Sequence, residues 1–207
     1  MSDDKHHPHG GRPGHHHFKG HKFDPARLEK LRDPERLLTL PPDLIWETTG
    51  AHRDAVVVDL GCGPGYFALP FAKKALRGWV YACDILPVML EYIRRASADE
   101  GAANITPVLC GEAHVPLPDG LADLVFMANM HHEFDDPQRA LRESRRLLRP
   151  GGRLAALDWK PEETPHGPPL EVRFHPGDVA DQLRAAGFSG VAEHDILPHN
   201  WFLTATC

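Results

Sequence analysis

The sequence predicts an α/β fold in which a doubly wound, mostly parallel seven-stranded sheet carries an antiparallel hairpin at its C-terminal edge. Three observations lead to this class. Apolar runs and helical repeats alternate after Arg53, which is typical of consecutive strand–helix–strand units. The run AVVVDL has no polar face, as expected for a parallel strand that helices cover on both sides. The last two apolar runs are separated by only Pro198 and His199, which indicates a hairpin.

Strands and helices follow one another from residue 55 onwards. Strands are predicted at the apolar runs AVVVDL, WVYACDI, NITPVLC, LADLVFMAN and GRLAALDW. Helices are predicted where apolar residues recur at helical spacing, in YFALPFAKKALR, PVMLEYIRRASADEG, DPQRALRESRRLLRPGG and PGDVADQLRAAGF. Pro87 opens the second helix, Pro150 stops the third and Gly187 ends the fourth. GVAEHDIL and NWFLTATC supply the two strands of the hairpin.

The N-terminal part of the chain divides into two segments. Residues 1–22 hold seven of the fifteen histidines and almost nothing apolar, so we expect a disordered tail. We expect a solubilising tail whose imidazoles give it weak, incidental affinity for transition metals, and a metal-handling role is the alternative. Residues 23–52 carry apolar residues at helical spacing between Asp-Pro and Pro-Pro steps, which predicts an N-terminal helical segment. Residues 23–207 are therefore expected to form a single domain, with residues 53–207 as its core.

Composition and charge argue against several classes of protein. The formal net charge is −6, which disfavours nucleic-acid binding because phosphate contacts need clustered lysine and arginine. No run approaches the roughly 18–20 consecutive apolar residues of a membrane helix, and the polar N-terminus shows no secretory signal. The four cysteines form no CxxC pair, so reduced buried thiols are expected and no metal site is predicted from them. We expect a cytoplasmic monomer or homodimer.

Three glycines at alternate positions follow the first strand in DLGCGPGYFA. Gly61, Gly63 and Gly65 let the backbone turn sharply and let a flat ligand approach it, because glycine has no Cβ atom. The helix that follows presents free N–H groups, which suit a pyrophosphate or an amino-acid carboxylate. Dinucleotide loops have the spacing G-x-G-x-x-G, and their third glycine would fall here at Tyr66. The spacing of the glycines alone therefore leaves two classes of cofactor open, a dinucleotide with a pyrophosphate and a cofactor with an amino-acid carboxylate.

An acidic residue at the end of the second strand indicates nucleoside binding. Asp84 closes the run VYACD about twenty residues after the glycines. A carboxylate there can accept hydrogen bonds from both hydroxyls of a ribose, each worth about 1.5–3 kcal/mol. The alternative role for Asp84 is to cap the helix that follows.

Four ordered motifs resemble class I S-adenosylmethionine-dependent methyltransferases over roughly residues 40–207. VVVDLGCGPG resembles the first motif of that family, and CDI resembles its ribose-binding strand end. CGEAHVPLPDGLADLVFMANMHHE is similar to the ubiquinone/menaquinone-biosynthesis-like branch, which has a methyltransferase type 11-like domain. LLRPGGRLAALDW is similar to the helix-to-strand element before the fifth strand. The resemblance implies a Rossmann-like fold, S-adenosyl-L-methionine as cofactor and methyl transfer to a small-molecule acceptor.

The resemblance also implies where each part of the cofactor binds. Asp59 is expected to order the glycine loop or to meet the methionine end of the cofactor. The three glycines are expected to admit the methionine and the sugar. Asn129, at the end of the fourth strand, is expected to approach the amino-acid end, and its alternative role is that of a turn residue.

The adenosine end is expected to contact the second strand and the loop after the third strand. Asp84 would hold the ribose and Ile85 would pack on the adenine. The adenine amino group would be bound by Glu112 or by the backbone of Ala113. Many relatives carry aspartate at the position of Glu112, so the sequence departs from the family pattern there.

The segment NMHHEF supplies candidates for a catalytic base. It follows the fourth strand, so we expect it at the carboxyl edge of the sheet beside the transferred methyl group. His131, His132 and Glu133 are the candidates, because histidine titrates near neutral pH. A base accelerates transfer to an acceptor that must lose a proton by about 10²–10⁴-fold. The alternative is structural: one histidine packs under the loop and Glu133 caps the next helix.

Two further regions have both a functional and a structural interpretation. The irregular stretch DWKPEETPHGPPLEVRF is expected to cover the acceptor site, with Trp159 and Arg173 near the substrate, or to form a surface loop. Trp46 is expected to fix the N-terminal helical segment to the core or to cover the same pocket.

Two alternative functions remain at this point. A nicotinamide-dependent oxidoreductase would use a similar glycine turn, although Tyr66 and the CGEAHVPLPDG stretch count against it. A non-catalytic cofactor-binding protein with a metal-binding histidine-rich tail would keep the fold and lack an acceptor site.

Overall fold

Seven strands form one mixed sheet in the computed structural model, which describes residues 35–207. The strands are β1 (Val56–Leu60), β2 (Trp79–Asp84), β3 (Ile105–Leu109), β4 (Ala122–Ala128), β5 (Leu148–Trp159), β6 (Ser189–Glu193) and β7 (Asn200–Thr206). Their order across the sheet is β3-β2-β1-β4-β5-β7-β6. Strands β1 to β5 pair in parallel, whereas β7 is antiparallel to both of its neighbours. This arrangement confirms the predicted fold class.

Helices connect the strands and cover both faces of the sheet. They are α1 (Arg36–Thr39), α2 (Pro42–Thr49), α3 (Ala68–Lys74), α4 (Pro87–Asp99), α5 (Pro137–Leu147) and α6 (Pro176–Ala185), with single 3₁₀ turns at His131–Glu133 and Leu170–Val172. Four of the helices have proline in their first turn, where no N–H is needed for the helical hydrogen bonds. No helix in residues 35–207 is both long and apolar enough to cross a bilayer.

Alternation of side chains along the strands gives the sheet two apolar faces. On β4, Leu124 and Phe126 pack with residues of α2, α3 and α4, whereas Val125 and Met127 pack with residues of α5 and α6. This is the double covering that continuous apolar strands require. The sheet is therefore buried between two helical layers, and its carboxyl edge is left for a ligand.

Trp46 joins the N-terminal helical segment to this core. Its side chain is buried, and its ring centroid lies 5.2 Å from that of Phe71 on α3. At the end of α2, Arg153 Nη1 of β5 donates to the carbonyl oxygen of Thr49 at 3.0 Å. The structure thus supports the core interpretation of Trp46. Residues 1–22, where the histidine-rich tail was predicted, and residues 23–34 lie outside the described residues.

Two element boundaries differ from the sequence prediction. Helix α5 ends at Leu147 and not at Pro150, because Leu148 already pairs with Ala122 of β4 ahead of an irregularity in the register. Strand β6 ends at Glu193, so residues 194–199 connect β6 to β7 and replace the predicted two-residue turn. Within that connection Leu197 is 2 % exposed and packs in the core, whereas Ile196 is exposed.

The crossover from α3 to β2 passes so close to β1 that it requires glycine at position 78. A Cβ atom on Gly78 would lie 2.0 Å from the carbonyl oxygen of Ala55, which accepts a hydrogen bond from Trp79. We therefore expect Gly78→Ala to lower the free energy of unfolding by about 1–3 kcal/mol, the usual cost of overpacking. Urea unfolding followed by tryptophan fluorescence measures this.

Gly111→Ala is the matched control, because a Cβ atom at Gly111 would meet its nearest atom at an ordinary 3.6 Å. Equal stability of the two variants would contradict the packing of this crossover.

Candidate active site and cofactor site

The glycine turn after β1 is drawn tightly onto the end of β2. The N–H groups of Gly61 and Cys62 both donate to the carbonyl oxygen of Cys83, at 2.9 and 3.0 Å. Gly61 has φ +68°, and a Cβ atom there would lie 2.1 Å from Sδ of Met130. Gly63 and Gly65 also have positive φ. All three glycines are thus favoured by their backbone conformation, and Gly61 also by its close packing against Met130 in the segment after β4.

Asp84 points into this turn from the end of β2. One carboxylate oxygen accepts from the N–H of Gly63 and the other from the N–H of Leu86, both at 2.9 Å. Burial raises the pKa of Asp84, and these N–H groups oppose that rise. The N–H of Ile85 is a third backbone donor to this carboxylate. A carboxylate has about four acceptor positions, so Asp84 keeps capacity to accept from a ligand hydroxyl group. Ile85 follows it and is half-buried.

Asp59, one residue before the end of β1, has a buried carboxylate oxygen without a hydrogen-bond donor. Its side chain is 2 % exposed, and Oδ2 has no hydrogen-bond partner. Burial, followed by repulsion from Asp84, raises the pKa of Asp59 well above its usual range, while the backbone N–H of Ala68 opposes the rise. A buried acceptor without a donor is costly. This oxygen therefore fits a ligand that brings a donor, such as the ammonium group of an amino acid.

The loop after β3 carries Glu112 and Ala113, both half-buried. Oε1 of Glu112 accepts from the backbone N–H of Asp135, so this carboxylate joins the loop to the segment that follows the 3₁₀ turn after β4. One oxygen of Glu112 is thereby engaged within the protein. The structure leaves the Glu112 and Ala113 interpretations of adenine binding both open.

Helix α5 anchors the same loop through Glu143 and Arg146. The N–H of Val115 donates to Oε1 of Glu143 at 2.7 Å, and Nη2 of Arg146 donates to the carbonyl oxygen of Val115 at 2.9 Å. Arg146 Nη1 also donates to the carbonyl oxygen of Leu117 at 2.9 Å. The two side chains are ion-paired with each other, and the hydrogen bond from Arg146 lowers the pKa of Glu143. The position of the loop is therefore set from α5.

Asn129 ends β4 in a strained conformation. Its φ of +55° is the one positive value at a non-glycine residue within residues 35–207. Oδ1 of Asn129 accepts from Nδ2 of Asn200 at 2.8 Å, and its N–H donates to Leu157 at 2.8 Å. These bonds hold the left-handed conformation, which asparagine tolerates better than most residues. Such strain is concentrated at functional sites.

His131 and His132 have opposite environments. His131 is 1 % exposed, its Nε2 lies 2.8 Å from Oε1 of Gln182, and its Nδ1 has no partner. Its ring meets those of Phe174 and Trp201 edge-on, at centroid distances of 4.9 and 6.2 Å. Burial lowers the pKa of His131. This histidine is enclosed in an aromatic box and held neutral.

His132 instead faces a buried carboxylate at the end of β5. Its Nδ1 lies 2.8 and 2.9 Å from the two oxygens of Asp158, and its own N–H donates to Oδ2 at 3.1 Å. Burial lowers the pKa of His132, but the charge and hydrogen bonds of Asp158 outweigh it, and the net shift is upward. Nε2 of His132 lies 3.9 Å from Oε1 of Glu133. The structure thus groups His132, Glu133 and Asp158 at the carboxyl edge.

Arg173 organises the loop that follows β5. Its guanidinium donates to the carbonyl oxygens of Lys160, Glu162 and Pro168, at 3.2, 2.7 and 2.8–2.9 Å. It also lies 5.4 Å from the ring of Trp159. The bonds to loop carbonyls show a structural role for Arg173.

The side chains of Tyr66 and Cys62 have structural contacts near the glycine turn. The hydroxyl of Tyr66 donates to the carbonyl oxygen of Leu40 at 2.9 Å, which turns it towards the N-terminal helices. Cys62 is buried, and burial raises the pKa of its thiol well above the usual range. The thiol is therefore neutral and packs as a small apolar group.

Comparison with known proteins decides the family. A protein-family model described as a methyltransferase domain matches residues 58–156. The solved structure of a SAM-dependent methyltransferase from Aquifex aeolicus matches with a TM-score of 0.84 and 31 % identity, over 89 % of this chain and 99 % of that one. The chain belongs to the S-adenosylmethionine-dependent methyltransferase family.

Two curated relatives of this methyltransferase have names that refer to quinones. The ubiquinone/menaquinone biosynthesis C-methyltransferase UbiE of Cupriavidus pinatubonensis is 40 % identical over 117 residues, which are 52 % of this chain and 46 % of the relative. The demethylmenaquinone methyltransferase of Thermus thermophilus is 32 % identical over 131 residues, 61 % of this chain and 59 % of the relative. The chain thus spans about half the length of these relatives. Family membership identifies S-adenosylmethionine as the cofactor of the methyltransferase.

Sequence reasoning did not single out Asp158. It is the one acidic residue of the run GRLAALDW, at the same edge of the sheet as Asp84, and that position was the available signal. Its partner His132 lies 26 residues earlier, so only the pairing of β4 with β5 shows that the two side chains meet.

The anchoring of the loop after β3 makes a testable prediction for the methyltransferase. Arg146→Ala removes the donors to the carbonyl oxygens of Val115 and Leu117, so the loop that carries Glu112 and Ala113 is held less firmly. We expect the affinity for S-adenosylhomocysteine to fall by about tenfold, which corresponds to roughly 1.4 kcal/mol. Isothermal titration calorimetry measures the change.

Arg184→Ala is the matched control for this prediction. Arg184 is also paired with a carboxylate three residues earlier on a helix, but that helix is α6, and the side chain is exposed. Equal affinities of the Arg146→Ala and Arg184→Ala variants would contradict the anchoring role.

Proposed function

We propose that this protein transfers a methyl group from S-adenosylmethionine to a small-molecule acceptor. One observation carries the proposal: the glycine turn closes onto Asp84, whose carboxylate keeps acceptor capacity, beside the unpartnered buried oxygen of Asp59. Together these groups match an adenosyl amino acid, which brings two ribose hydroxyls and an ammonium group. A dinucleotide offers hydroxyls but no ammonium for Asp59.

The roles of the cofactor residues follow from their positions. We propose that Asp84 receives the ribose hydroxyls, that Asp59 receives the ammonium group, and that the turn of Gly61, Gly63 and Gly65 admits the methionine and the sugar. Ile85 packs on the adenine, and Glu112 or the backbone of Ala113 reads its amino group. Asn129 approaches the amino-acid end.

The cofactor supplies an activated methyl group on a sulfonium, so the protein has to align the acceptor and exclude water. Among the predicted base candidates we propose His132, because its conjugate acid is stabilised by Asp158. His131 fixes the segment that carries His132 to helix α6 through its hydrogen bond with Gln182. Glu133 adds negative charge beside Nε2 of His132.

The acceptor, the compartment and the assembly belong to the same proposal. The names of the relatives make quinol-like rings the first acceptors to test. A cytoplasmic location is supported by the four free cysteines, which suit a reducing compartment. We further propose a monomer or homodimer that binds neither nucleic acid nor membrane, with one domain over residues 23–207. Weak metal binding by residues 1–22 stays a prediction.

A labelled-donor screen tests the proposed activity. The protein is incubated with S-adenosylmethionine that carries a ¹³C-methyl group, together with a small-molecule extract or a quinol panel, and products are identified by mass spectrometry. We expect a product heavier by one labelled methyl group and formation of S-adenosylhomocysteine, both absent with heat-denatured protein. Binding of the donor without any labelled product, across extracts and panel, would instead favour the non-catalytic alternative.

A further inference from the structure

The side chains of Asp158 and His132 form a preorganised pair that no comparison assigns a role. Asp158 is 3 % exposed and ends a central strand of the sheet. Its two oxygens meet Nδ1 of His132 at 2.8 and 2.9 Å. The carboxylate is also fixed by two backbone donors, the N–H of His132 at 3.1 Å and the N–H of Trp159 at 2.8 Å. The imidazole therefore faces an acceptor that cannot rotate away.

This contact determines which ring nitrogen carries the proton. A carboxylate within 3 Å accepts, so Nδ1 of His132 must be the donor in both the neutral and the charged ring. The neutral ring then has its free electron pair on Nε2. Nε2 lies 3.9 Å from Oε1 of Glu133, beyond hydrogen-bonding distance. Nε2 is therefore the basic atom.

We propose that Asp158 is the positioning residue of the methyl-transfer site, and that it holds His132 as a base for an acceptor that must lose a proton from oxygen or carbon. The inference rests on the proposed function and narrows its acceptor class to weakly acidic hydroxyl compounds and carbon acids. The acceptor's proton moves to Nε2 of His132, and the electron pair it leaves forms the bond to the methyl carbon. The bond between the methyl carbon and sulfur breaks at the same time, and sulfur keeps the two electrons of that broken bond.

Other groups around His132 change the size of its pKa shift, but the net shift stays upward. Glu133 favours the protonated ring, as Asp158 does, whereas burial and the positive charge of Arg173 oppose it. The net upward shift of the pKa means that the ring stays protonated to a higher pH than free histidine. The base form accumulates above that pKa, so turnover is expected to rise with pH as His132 deprotonates.

The first test reads the tautomer and needs no acceptor. The full chain is labelled with ¹³C,¹⁵N-histidine, and the signals of His132 are assigned by their loss in His132→Gln. In the unsubstituted protein we expect the neutral ring to be protonated on Nδ1 and unprotonated on Nε2. The opposite tautomer would overturn the proposal, whatever happens to any variant.

The second test removes the charge of Asp158. Asp158→Asn is expected to lower the pKa of His132, because burial then acts without the carboxylate. Asp195→Asn is the matched control, since Asp195 lies in the connection before β7 and is exposed. An unchanged titration of His132 in Asp158→Asn would contradict the proposal. If this variant does not fold, the tautomer of the unsubstituted protein still decides.

A kinetic readout separates positioning from mere structural support. With an acceptor identified by the labelled-donor screen, Asp158→Asn is expected to reduce kcat by about 10-fold or more and to move the acid limb of the pH profile to lower pH. Its affinity for S-adenosylhomocysteine should stay within about twofold of the unsubstituted protein. Failure of the unsubstituted protein to bind S-adenosylhomocysteine would instead refute the proposed function, and the histidine measurements do not depend on that result.

Discussion

Replacement of His132 by alanine is expected to reduce methyl transfer by about 10²–10⁴-fold, the usual contribution of a general base. The affinity for S-adenosylmethionine should change little, because the ring of His132 is hydrogen-bonded to Asp158, whereas Asp84 is hydrogen-bonded to the glycine turn. The rate is measured with the acceptor identified by the labelled-donor screen, and the affinity by calorimetry. The expected pattern is a loss of kcat at nearly constant cofactor affinity.

His52→Ala is the control for general effects of removing a histidine, since His52 is exposed before β1. His131→Ala tests the structural role of the neighbouring histidine. Removal of His131 leaves a cavity among aromatic rings and should lower stability by about 2–4 kcal/mol. If His132→Ala turned over as fast as His52→Ala, His132 would not be the base.

The second large effect is expected at Asp84. Asp84→Asn removes the charge that would receive the ribose hydroxyls, and its amide nitrogen cannot accept from Gly63 or Leu86. We expect affinity for S-adenosylhomocysteine to fall by about 10²-fold, or roughly 3 kcal/mol, from charge-assisted hydrogen bonds worth about 1.5–3 kcal/mol each. Calorimetry measures the affinity, and thermal unfolding shows whether the variant is folded.

Asp99→Asn provides the matched control, because Asp99 is an exposed aspartate at the end of α4. Its affinity should equal that of the unsubstituted protein. If Asp84→Asn also bound as tightly as the unsubstituted protein, the carboxylate at the end of β2 would not hold the sugar.

The sheet and its ligand edge could be predicted because their signals are local. AVVVDL is apolar on both faces, and the three glycines that follow it need no partner to reveal a turn. Asp84 was predictable for the same reason, since any acidic residue that closes a parallel strand lies at the carboxyl edge. The pairing of β1 with both β2 and β4 comes from the structure, because the order of elements along the chain does not give the order of strands across the sheet.

Features that depend on distant side chains could not be predicted. The opposite environments of His131 and His132 follow from Gln182 on α6 and Asp158 on β5, which are 51 and 26 residues away along the chain. The adjacent histidines are indistinguishable in the sequence. The link from β6 to β7 was mistaken for strand because Ile196 and Leu197 are apolar, although Leu197 is buried by core packing.

Calorimetric titration of the full chain with S-adenosylmethionine, and in parallel with NAD, tests most directly whether the turn and Asp84 form an adenosyl amino-acid site. We expect saturable binding of S-adenosylmethionine in the micromolar range and no heat of binding with NAD. Micromolar binding of NAD by a protein that does not bind S-adenosylmethionine would contradict it.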